Sequence, residues 1–486
     1  MSTIPVERIV ASLKHAGLLV ETTGSLPEHV ADVTDDSRHV AANGLFIAVH
    51  GSARDGHDFL PQAEASGAAA AIVEDPGRTS LPSIVVREGR RAAAIAASAA
   101  FDDPAKQLRL LAVTGTNGKT TVVGILRHLL DKADARSASI GTLGILLGSE
   151  GVPVGGGASL TTPGPVELQR ALRALVDRGV RMVAMELSSH SLDQKRAETL
   201  VFEAGVFTNL TRDHLDYHET MEAYLLAKSK LIAQLGSRGA AVVNLDDKVW
   251  ETLPQANHLI TFGRNPDAMV RAESVLFHPR GSEWLLVADN QRHALQLPLI
   301  GDFNISNALG AAAAAWHLGM TLSAIAARLR TVPQVAGRLE VIHERPTVLR
   351  DYAHTPDALE RSLAAVRPFA RKKLFVIFGA GGDRDRGKRP LMGAIAEQGA
   401  DFAIATSDNP RTEEPAAILD DIERGMRLAN HEIIEDRREA IKRALELAST
   451  EDVVLLAGKG HETYQIRGTI SYPFDEKEIV AELSAS

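Results

Sequence analysis

Residues 108–130 read LRLLAVTGTNGKTTVVGILRHLL, an apolar run, a glycine-rich turn and then an amphipathic stretch, in that order. Seven residues dominated by Leu, Ala and Val predict a buried strand, and Val122 to Leu130 repeats its apolar residues at helical spacing. Between them stand Gly115, Thr116, Asn117, Gly118, Lys119, Thr120 and Thr121. A turn of this kind, ending in a helix start, presents backbone N–H groups to phosphate oxygens. Lys119 is placed to reach terminal phosphates, and the Thr120 hydroxyl to bind Mg²⁺. Val113 stands where the usual GxxxxGK[ST] spacing has its first Gly. The segment therefore predicts a nucleotide site on a strand–loop–helix unit. Guanine is not indicated, because NLDDK at 244–248 reads as a strand end running into a turn.

Outward from this unit, short apolar runs alternate with longer helical segments, the pattern of parallel sheets covered by helices. Gly44–Val49, Ala68–Val73 and Pro82–Val86 precede it as strands. Val180–Glu186, Ala204–Asn209 and Ala240–Asn244 follow it, and Val348–Tyr352, Leu374–Phe378, Phe402–Thr406 and Val453–Ala457 form a later set. The chain has 486 residues, and at about 150 residues per domain this suggests three. The expected boundaries are 1–104, 105–336 and 337–486. Each strand runs into a loop rich in Gly, Asp, Asn, His or Arg, where ligands of open α/β sheets bind.

Composition excludes several classes. With 45% hydrophobic and 24% charged residues the chain is globular, and with no Cys it has no disulfides, thiolate nucleophile or Cys-ligated metal. A net charge of −9 gives no basic footprint for nucleic acid. The first ten residues lack an apolar signal core, and the greasiest runs are short and alanine-rich, so a cytoplasmic protein without membrane insertion is expected.

Three further clusters carry polar chemistry. Glu186 ends an apolar strand in MELSSH, where it can complete a Mg²⁺ shell or cap a helix. TNLTRDHLDYH at 208–218 concentrates His, Asp and Arg, either as a metal site or as a polar loop. On a helix over Met221–Leu235, the residues Met221, Tyr224, Leu225, Ile232 and Leu235 share one face with Lys228 in its middle. A lysine there either snorkels or is functional, and from pattern alone snorkelling is the first reading. HETYQ at 461–465 is no zinc motif, since Gln465 stands where HExxH needs His.

GTNGKTT, MELSSHSLDQKR, TNLTRDHLDYH, AYLLAKSK, GDFNISN, GRLE, DYAHTPDAL, GGDRDRGKRP, SDNPRTEEP and GKGHETYQ occur in this order. Over residues 30 to 470 the chain resembles the Mur ligases. The resemblance implies a three-domain α/β architecture, with a central P-loop ATPase-type parallel sheet and a C-terminal Rossmann-like domain. It also implies ATP-dependent amide-bond formation on UDP-N-acetylmuramoyl-L-Ala-D-Glu through an acyl phosphate. Lys119 and Thr120 match phosphate and Mg²⁺ contacts, Glu186 and His214 match Mg²⁺ ligands, and Lys228 matches a lysine carbamylated by CO₂ to N6-carboxylysine. That match reverses the snorkelling preference.

Asn304 and Asn307 match adenine-side positions, although Asn304 alone would read equally as a helix N-cap. Arg338 and Asp351 match phosphate and ribose contacts, with domain closure completing the site. Ser37, Thr161, Thr162, Ser189, Gln194 and Arg196 match positions that hold the UDP-sugar dipeptide, although Gly164 follows Pro163 where an acidic residue is more usual.

The resemblance implies that amino-acid choice falls to Arg384, to Asp408, Asn409, Pro410 and Arg411 (DNPR), and to Gly458 and Glu462. DNPR marks the diaminopimelate-adding branch, and lysine-adding members lack its Arg. The physical warrant is that Arg411 can pair bidentately with a second substrate carboxylate. A lysine-adding enzyme and a non-catalytic nucleotide-binding relative are the alternatives. The expected partners are the small-molecule substrates alone, with the protein a monomer.

Overall fold

The computed structural model describes residues 3–51, 54–155, 160–278 and 281–485. Two compact units divide it, residues 1–270 with 310–321, and residues 271–309 with 322–486.

Besides a two-stranded ladder of Ile4–Pro5 with His29–Val30, the first unit contains two main sheets. In the smaller of these, β1 (Leu19–Thr23), β2 (Val33–Thr34), β3 (Leu45–Ile47), β4 (Ala70–Val73) and β5 (Ser83–Val86) lie in the order β1-β5-β4-β3-β2. All neighbours are parallel except β1–β5. Helix α1 (Gly89–Ala100) is nearly all alanine on its buried side, and these small side chains pack beside Ile72, Ile84 and Val86 in one core.

The larger sheet begins with β6 (Arg109–Thr114), followed by α2 (Lys119–Leu130), β7 (Ser137–Gly141), β8 (Gly144–Leu147) and β9 (Val152–Val154). Helix α3 (Pro165–Asp177), with Pro at its first position, leads to β10 (Met182–Glu186) and the short helix Ser189–Asp193. Then come β11 (Phe202–Phe207), α4 (Met221–Ser229), β12 (Leu235–Asn244) and β13 (His258–Gly263). The order is β9-β8-β7-β10-β6-β11-β12-β13, parallel from β7 to β13. Strand β6 is thus central, buried on both faces as its continuous apolar run requires. Helix α4 is shorter than the predicted 221–235. It tightens into a 3₁₀ turn over Lys230–Gln234, so Ile232 and Leu235 stand beyond the α-helix that carries Lys228, although they pack against the same core as Met221 and Leu225.

The second unit opens with an antiparallel meander of β14 (Val270–His278), β15 (Gly281–Ala288) and β16 (Gln291–Leu297), followed by residues 303–309 of helix α5 (Phe303–His317), whose later residues are counted with the first unit. Its main sheet takes β17 (Glu340–Glu344), β18 (Thr347–Asp351), β19 (Leu374–Phe378), β20 (Phe402–Ala405), β21 (His431–Ile433) and β22 (Val453–Ala457) in the order β17-β18-β22-β19-β20-β21. Only β17–β18 is antiparallel. A hairpin, β23 (Tyr464–Arg467) with β24 (Ile470–Pro473), follows β22. Among the described residues no helix is long and apolar enough to cross a membrane.

Two helices of this unit are joined by a buried charge pair. Arg437, the first residue of α6 (Arg437–Leu447), donates from Nε to Glu476 Oε1 at 2.8 Å and from Nη2 to the carbonyl of Ala457 at 2.9 Å. Glu476 begins α7 (Glu476–Ser484), and both side chains are fully buried. Breaking such a pair strands a charge in the interior. Arg437→Met should therefore lower the unfolding free energy by about 3–5 kcal/mol in denaturant titration. Arg437→Met combined with Glu476→Leu should cost clearly less, which tests the charge explanation directly.

Candidate functional site

The loop after β6 is clasped from below by the loop after β11. Asn117 N–H donates to Asn209 Oδ1 at 2.9 Å, and the Asn117 carbonyl accepts from Thr208 Oγ1 at 2.7 Å and Asn209 Nδ2 at 3.1 Å. Thr116 N–H reaches the Asn209 carbonyl at 2.7 Å, and Thr116 Oγ1 meets Tyr224 Oη at 3.1 Å. Gly115 sits at φ +142°, and a Cβ there would lie 1.9 Å from Thr208 Oγ1, so glycine is required. The NLDDK segment braces this clasp, with Asn244 Nδ2 donating to the Thr208 carbonyl and Asp247 Oδ2 accepting from Leu210 N–H, each at 2.9 Å. Gly118, at φ +87°, starts α2, and Thr120 and Thr121 are buried in its first turn.

Two lysines meet on one oxygen. Lys119 Nζ donates to the carbonyls of Gly115 at 3.0 Å and Thr116 at 2.8 Å, and Lys228 Nζ donates to the same Gly115 carbonyl at 2.8 Å. Lys228 does not snorkel; it is 1% exposed, with Nζ 4.6 Å from the centre of the Tyr224 ring. Burial, with the Lys119 ammonium beside it, holds its pKa well below the ordinary lysine value. A neutral amine is the form that adds to CO₂, so the residue fits a carbamate.

Glu186, also 1% exposed, is gripped by a residue that sequence reading missed. Thr142 donates its N–H to Oε1 at 2.9 Å and its hydroxyl to Oε2 at 3.1 Å. The helix-capping alternative for Glu186 is thereby set aside. A Cβ on Gly141 would lie 2.2 Å from Glu186 Oε1.

His214 stands at φ +53°, a conformation that bulky residues rarely adopt outside functional sites. Burial lowers its pKa to about 4, with Asp213 opposing the shift and His190, Lys119 and Lys228 adding to it. It is a neutral imidazole at pH 7, as a metal ligand must be. His190 meets His214 edge-on at 4.9 Å and Tyr217 at 4.3 Å, a ring cluster that the sequence showed only as a density of His. Thr120, Glu186, His214 and Lys228 thus offer a hydroxyl, a carboxylate, an imidazole and a modifiable amine, and the hydroxyl and carboxylate oxygens, joined by a carbamate oxygen where the amine is modified, suit Mg²⁺.

The dipeptide-side candidates are tied to the same strand ends. Thr162 Oγ1 donates to the Glu186 carbonyl at 2.9 Å and accepts from Ser188 N–H at 3.1 Å. Arg196 donates to the Thr162 carbonyl at 3.0 Å and from Nη2 to Gln194 Oε1 at 2.6 Å. Thr161 Oγ1 lies 3.3 Å from Thr142 Oγ1. The Ser189 hydroxyl is buried without a hydrogen-bond partner among the described residues, whereas Ser37 Oγ donates to Gln62 Oε1 at 3.0 Å. Burial raises the pKa of Asp35, which Arg196 partly offsets.

In the second unit Asn304 lies inside α5, not at its cap. Its Nδ2 donates to the Ile300 carbonyl at 2.7 Å and its Oδ1 accepts from Asn307 Nδ2 at 2.9 Å. A cap requires the side-chain oxygen to accept a helix N–H, so the N-cap alternative is corrected. Asp351 uses its oxygens to hold Leu339 N–H at 2.8 Å and Ser362 Oγ at 3.0 Å, and Arg338 lies 4.7 Å over the Tyr352 ring.

Arg384 is exposed, while Asp408 and Asn409 are buried. Arg411 is fixed at φ +53°, donating from Nη1 to the Gly382 carbonyl at 2.7 Å. Gly381 leaves room for the guanidinium, since a Cβ there would lie 2.9 Å from Nη1, and Gly382 lets the backbone pass Pro410, since its Cβ would lie 1.8 Å from the Pro410 carbonyl. Glu462 accepts from Asn409 Nδ2 at 2.8 Å, and burial raises its pKa. Sequence reading also missed Arg389, a fully buried guanidinium bound to Glu413 and Asp421.

One cluster outside these loops has metal-like composition, His50, His57 and Glu74. His57 Nδ1 faces Asp55 at 2.7 Å and its Nε2 accepts Glu74 N–H at 3.0 Å, so neither nitrogen is left for an ion.

Nucleotide-type loop, acidic strand end and buried lysine together define a nucleotide-binding protein of the P-loop class. Three family descriptions match the chain: "Mur ligase family, catalytic domain" over residues 29–113, "Mur ligase middle domain" over 113–315 and "Mur ligase, glutamate ligase domain" over 337–460. The chain belongs to the Mur ligase family. It is 44% identical over 468 residues to the UDP-N-acetylmuramoyl-L-alanyl-D-glutamate--2,6-diaminopimelate ligase of Geobacillus kaustophilus, covering 94% of this chain and 95% of that one. A solved structure of a ligase with the same name aligns with TM-score 0.68 and 33% identity over 99% of both chains. MurF from Acinetobacter baumannii, at 19% identity and TM-score 0.69 over the whole of both chains, shares the fold.

Thr142→Val should raise the Mg²⁺ concentration needed for half-maximal activity about tenfold to a hundredfold, as loss of an outer partner does at other metal sites. Gly141→Ala should do the same by displacing the carboxylate. An unchanged Mg²⁺ requirement in both would remove Glu186 from the metal shell.

Proposed function

We propose that this protein joins meso-2,6-diaminopimelate to the γ-carboxylate of D-Glu in UDP-N-acetylmuramoyl-L-Ala-D-Glu, consuming ATP in peptidoglycan precursor synthesis. Full-length similarity to ligases named for that reaction carries the reading, and DNPR, with a half-buried Arg411 held by the Gly382 carbonyl, supports the amino acid. A cytoplasmic monomer fits a net charge of −9 and substrates that are small and nucleotide-activated.

A carboxylate is a poor electrophile, so the D-Glu oxygen first attacks the γ-phosphorus and ADP departs. The amine nitrogen then attacks the acyl carbon, loses its proton and expels phosphate. The chain's part is positioning and charge neutralisation. Within the 115–121 loop, whose Thr116 and Asn117 N–H groups are held by Asn209, the N–H groups from Gly118 to Thr121 cradle phosphates, and Lys119 leaves the two carbonyls it now binds to meet the terminal phosphate. Mg²⁺, when bound, would neutralise charge on the phosphates, with Thr120, Glu186 and His214 as its ligands. Lys228 as a carbamate would add an anionic oxygen donor to that set. Asn304, Asn307, Arg338 and Asp351 serve the nucleoside side. Ser37, Thr161, Thr162, Ser189, Gln194 and Arg196 hold the UDP-sugar dipeptide. Arg384, Asp408, Asn409, Pro410, Arg411, Gly458 and Glu462 form the amino-acid pocket, in which Arg411 pairs with the distal carboxylate and Glu462 with the distal ammonium.

The direct test is phosphate release from Mg-ATP and the UDP-sugar dipeptide with diaminopimelate, with L-lysine or with neither, confirmed by product mass. Turnover only with diaminopimelate is expected. Lysine turnover would move the protein to the sister branch, and ATP binding without turnover would make it a non-catalytic relative. Lys228→Ala should abolish ligation while the fold survives, read by circular dichroism, and normal turnover would refute the carbamate role. Arg411→Ala should raise KM for diaminopimelate about tenfold or more while KM for ATP stays near parental, whereas equal rises would count against its specificity role.

A further inference from the structure

Between the acidic and the basic ends of the amino-acid pocket lies a lysine to which no role has been given so far. Lys459 follows Gly458 directly after β22 and is 0% exposed. Its Nζ lies 3.1 Å from Asn409 Oδ1, 3.5 Å from Asp408 Oδ1, 3.5 Å from Glu462 Oε2 and 2.7 Å from the Tyr464 carbonyl. A single ammonium therefore gathers the DNPR loop, the residue after His461 and the first residue of the β23–β24 hairpin. The arrangement is closed by further bonds. Asn409 Nδ2 donates to Glu462 Oε2 at 2.8 Å, and Asn409 Oδ1 also accepts Ile466 N–H at 2.9 Å. The same hairpin fixes Arg411, whose N–H donates to the Ile466 carbonyl at 3.1 Å and whose carbonyl accepts Gly468 N–H at 2.6 Å.

Building on the proposed diaminopimelate reading, we propose that Lys459 is a specificity-determining positioning residue, which presets the pocket for a zwitterionic side chain by neutralising one of two facing carboxylates and aiming the other. Asp408 and Glu462 bring two negative charges and Lys459 one positive, which leaves one negative charge for the one distal ammonium of the substrate. Without Lys459 the two carboxylates oppose each other in a buried place, and one of them takes a proton. The groups that face Glu462 are Asp408, Lys459, Tyr352 and Tyr464. Arg338 stacks on the Tyr352 ring at 4.7 Å. Burial and Asp408 raise the carboxyl pKa of Glu462, and Lys459 opposes them. Removing the cation raises it further, so the ionised, ammonium-binding form is lost at a higher pH as pH falls.

The test compares the parent full-length protein with Lys459→Met and Lys459→Arg. It follows kcat/KM for diaminopimelate from pH 6 to 9, KM for ATP and the thermal midpoint. Lys459→Met should raise KM for diaminopimelate about tenfold to a hundredfold with KM for ATP near parental. Its acid limb should move to higher pH. Lys459→Arg, which keeps the charge but not the compact donor, should retain the parental acid limb with a smaller rise in KM. Parallel rises in both KM values, or an acid limb that stays put in Lys459→Met, would overturn the proposal. If Lys459→Met does not fold, Lys459→Arg decides: a selective rise in KM for diaminopimelate supports the role, and a parental or unselective result ends it. Absence of diaminopimelate turnover by the parent would bring down the functional reading and this inference together, whereas parental turnover with unaffected variants would bring down this inference alone.

Discussion

The carbonyl oxygen of Gly115 is the point on which the nucleotide loop depends. It accepts from Lys119 and from Lys228, one lysine beginning the helix after the loop and the other buried on a distant helix. Two nitrogens on one acceptor hold the loop's first peptide in place and bring a cationic side chain against a deprotonation-prone amine. The clasp by Thr208 and Asn209 completes the restraint from the opposite side. The loop is therefore shaped by the protein before any phosphate arrives, and the cost of ordering it is met during folding.

Much of this was legible in the sequence, and the reasons are physical. Strand β6 and helix α2 announce themselves because a doubly buried strand must be continuously apolar and a helix start must follow the glycine turn. Lys228 was noticed because it interrupts an apolar face, but periodicity alone favoured snorkelling, since pattern does not reveal which polar atom waits at the other end of a buried chain. The break after Ser229 was invisible for a related reason. Lys230–Gln234 keeps helix-compatible residues, and the tighter turn is imposed by the entry into β12.

Thr142 illustrates what the sequence hides. A threonine after a glycine carries no signal of its own, and its role exists only because β7 and β10 lie side by side, with Met185 opposite Ile140. Asn244 and Asp247 looked like a turn and are one, yet they also brace the loop that holds the nucleotide loop. Residues that touch substrate tend to sit in long motifs; the residues that orient them are scattered, and only strand register brings them together.

The buried Arg437–Glu476 pair makes the final helix a strut. One guanidinium joins that helix to the Ala457 carbonyl, and the next two residues of the chain are Gly458 and Lys459. A tilt of α7 would pass through that guanidinium to the Ala457 carbonyl, and so to the backbone that leads into the proposed amino-acid pocket, without touching any group in it. The end of β22 is held from a helix of its own unit, at a distance from the loop it feeds.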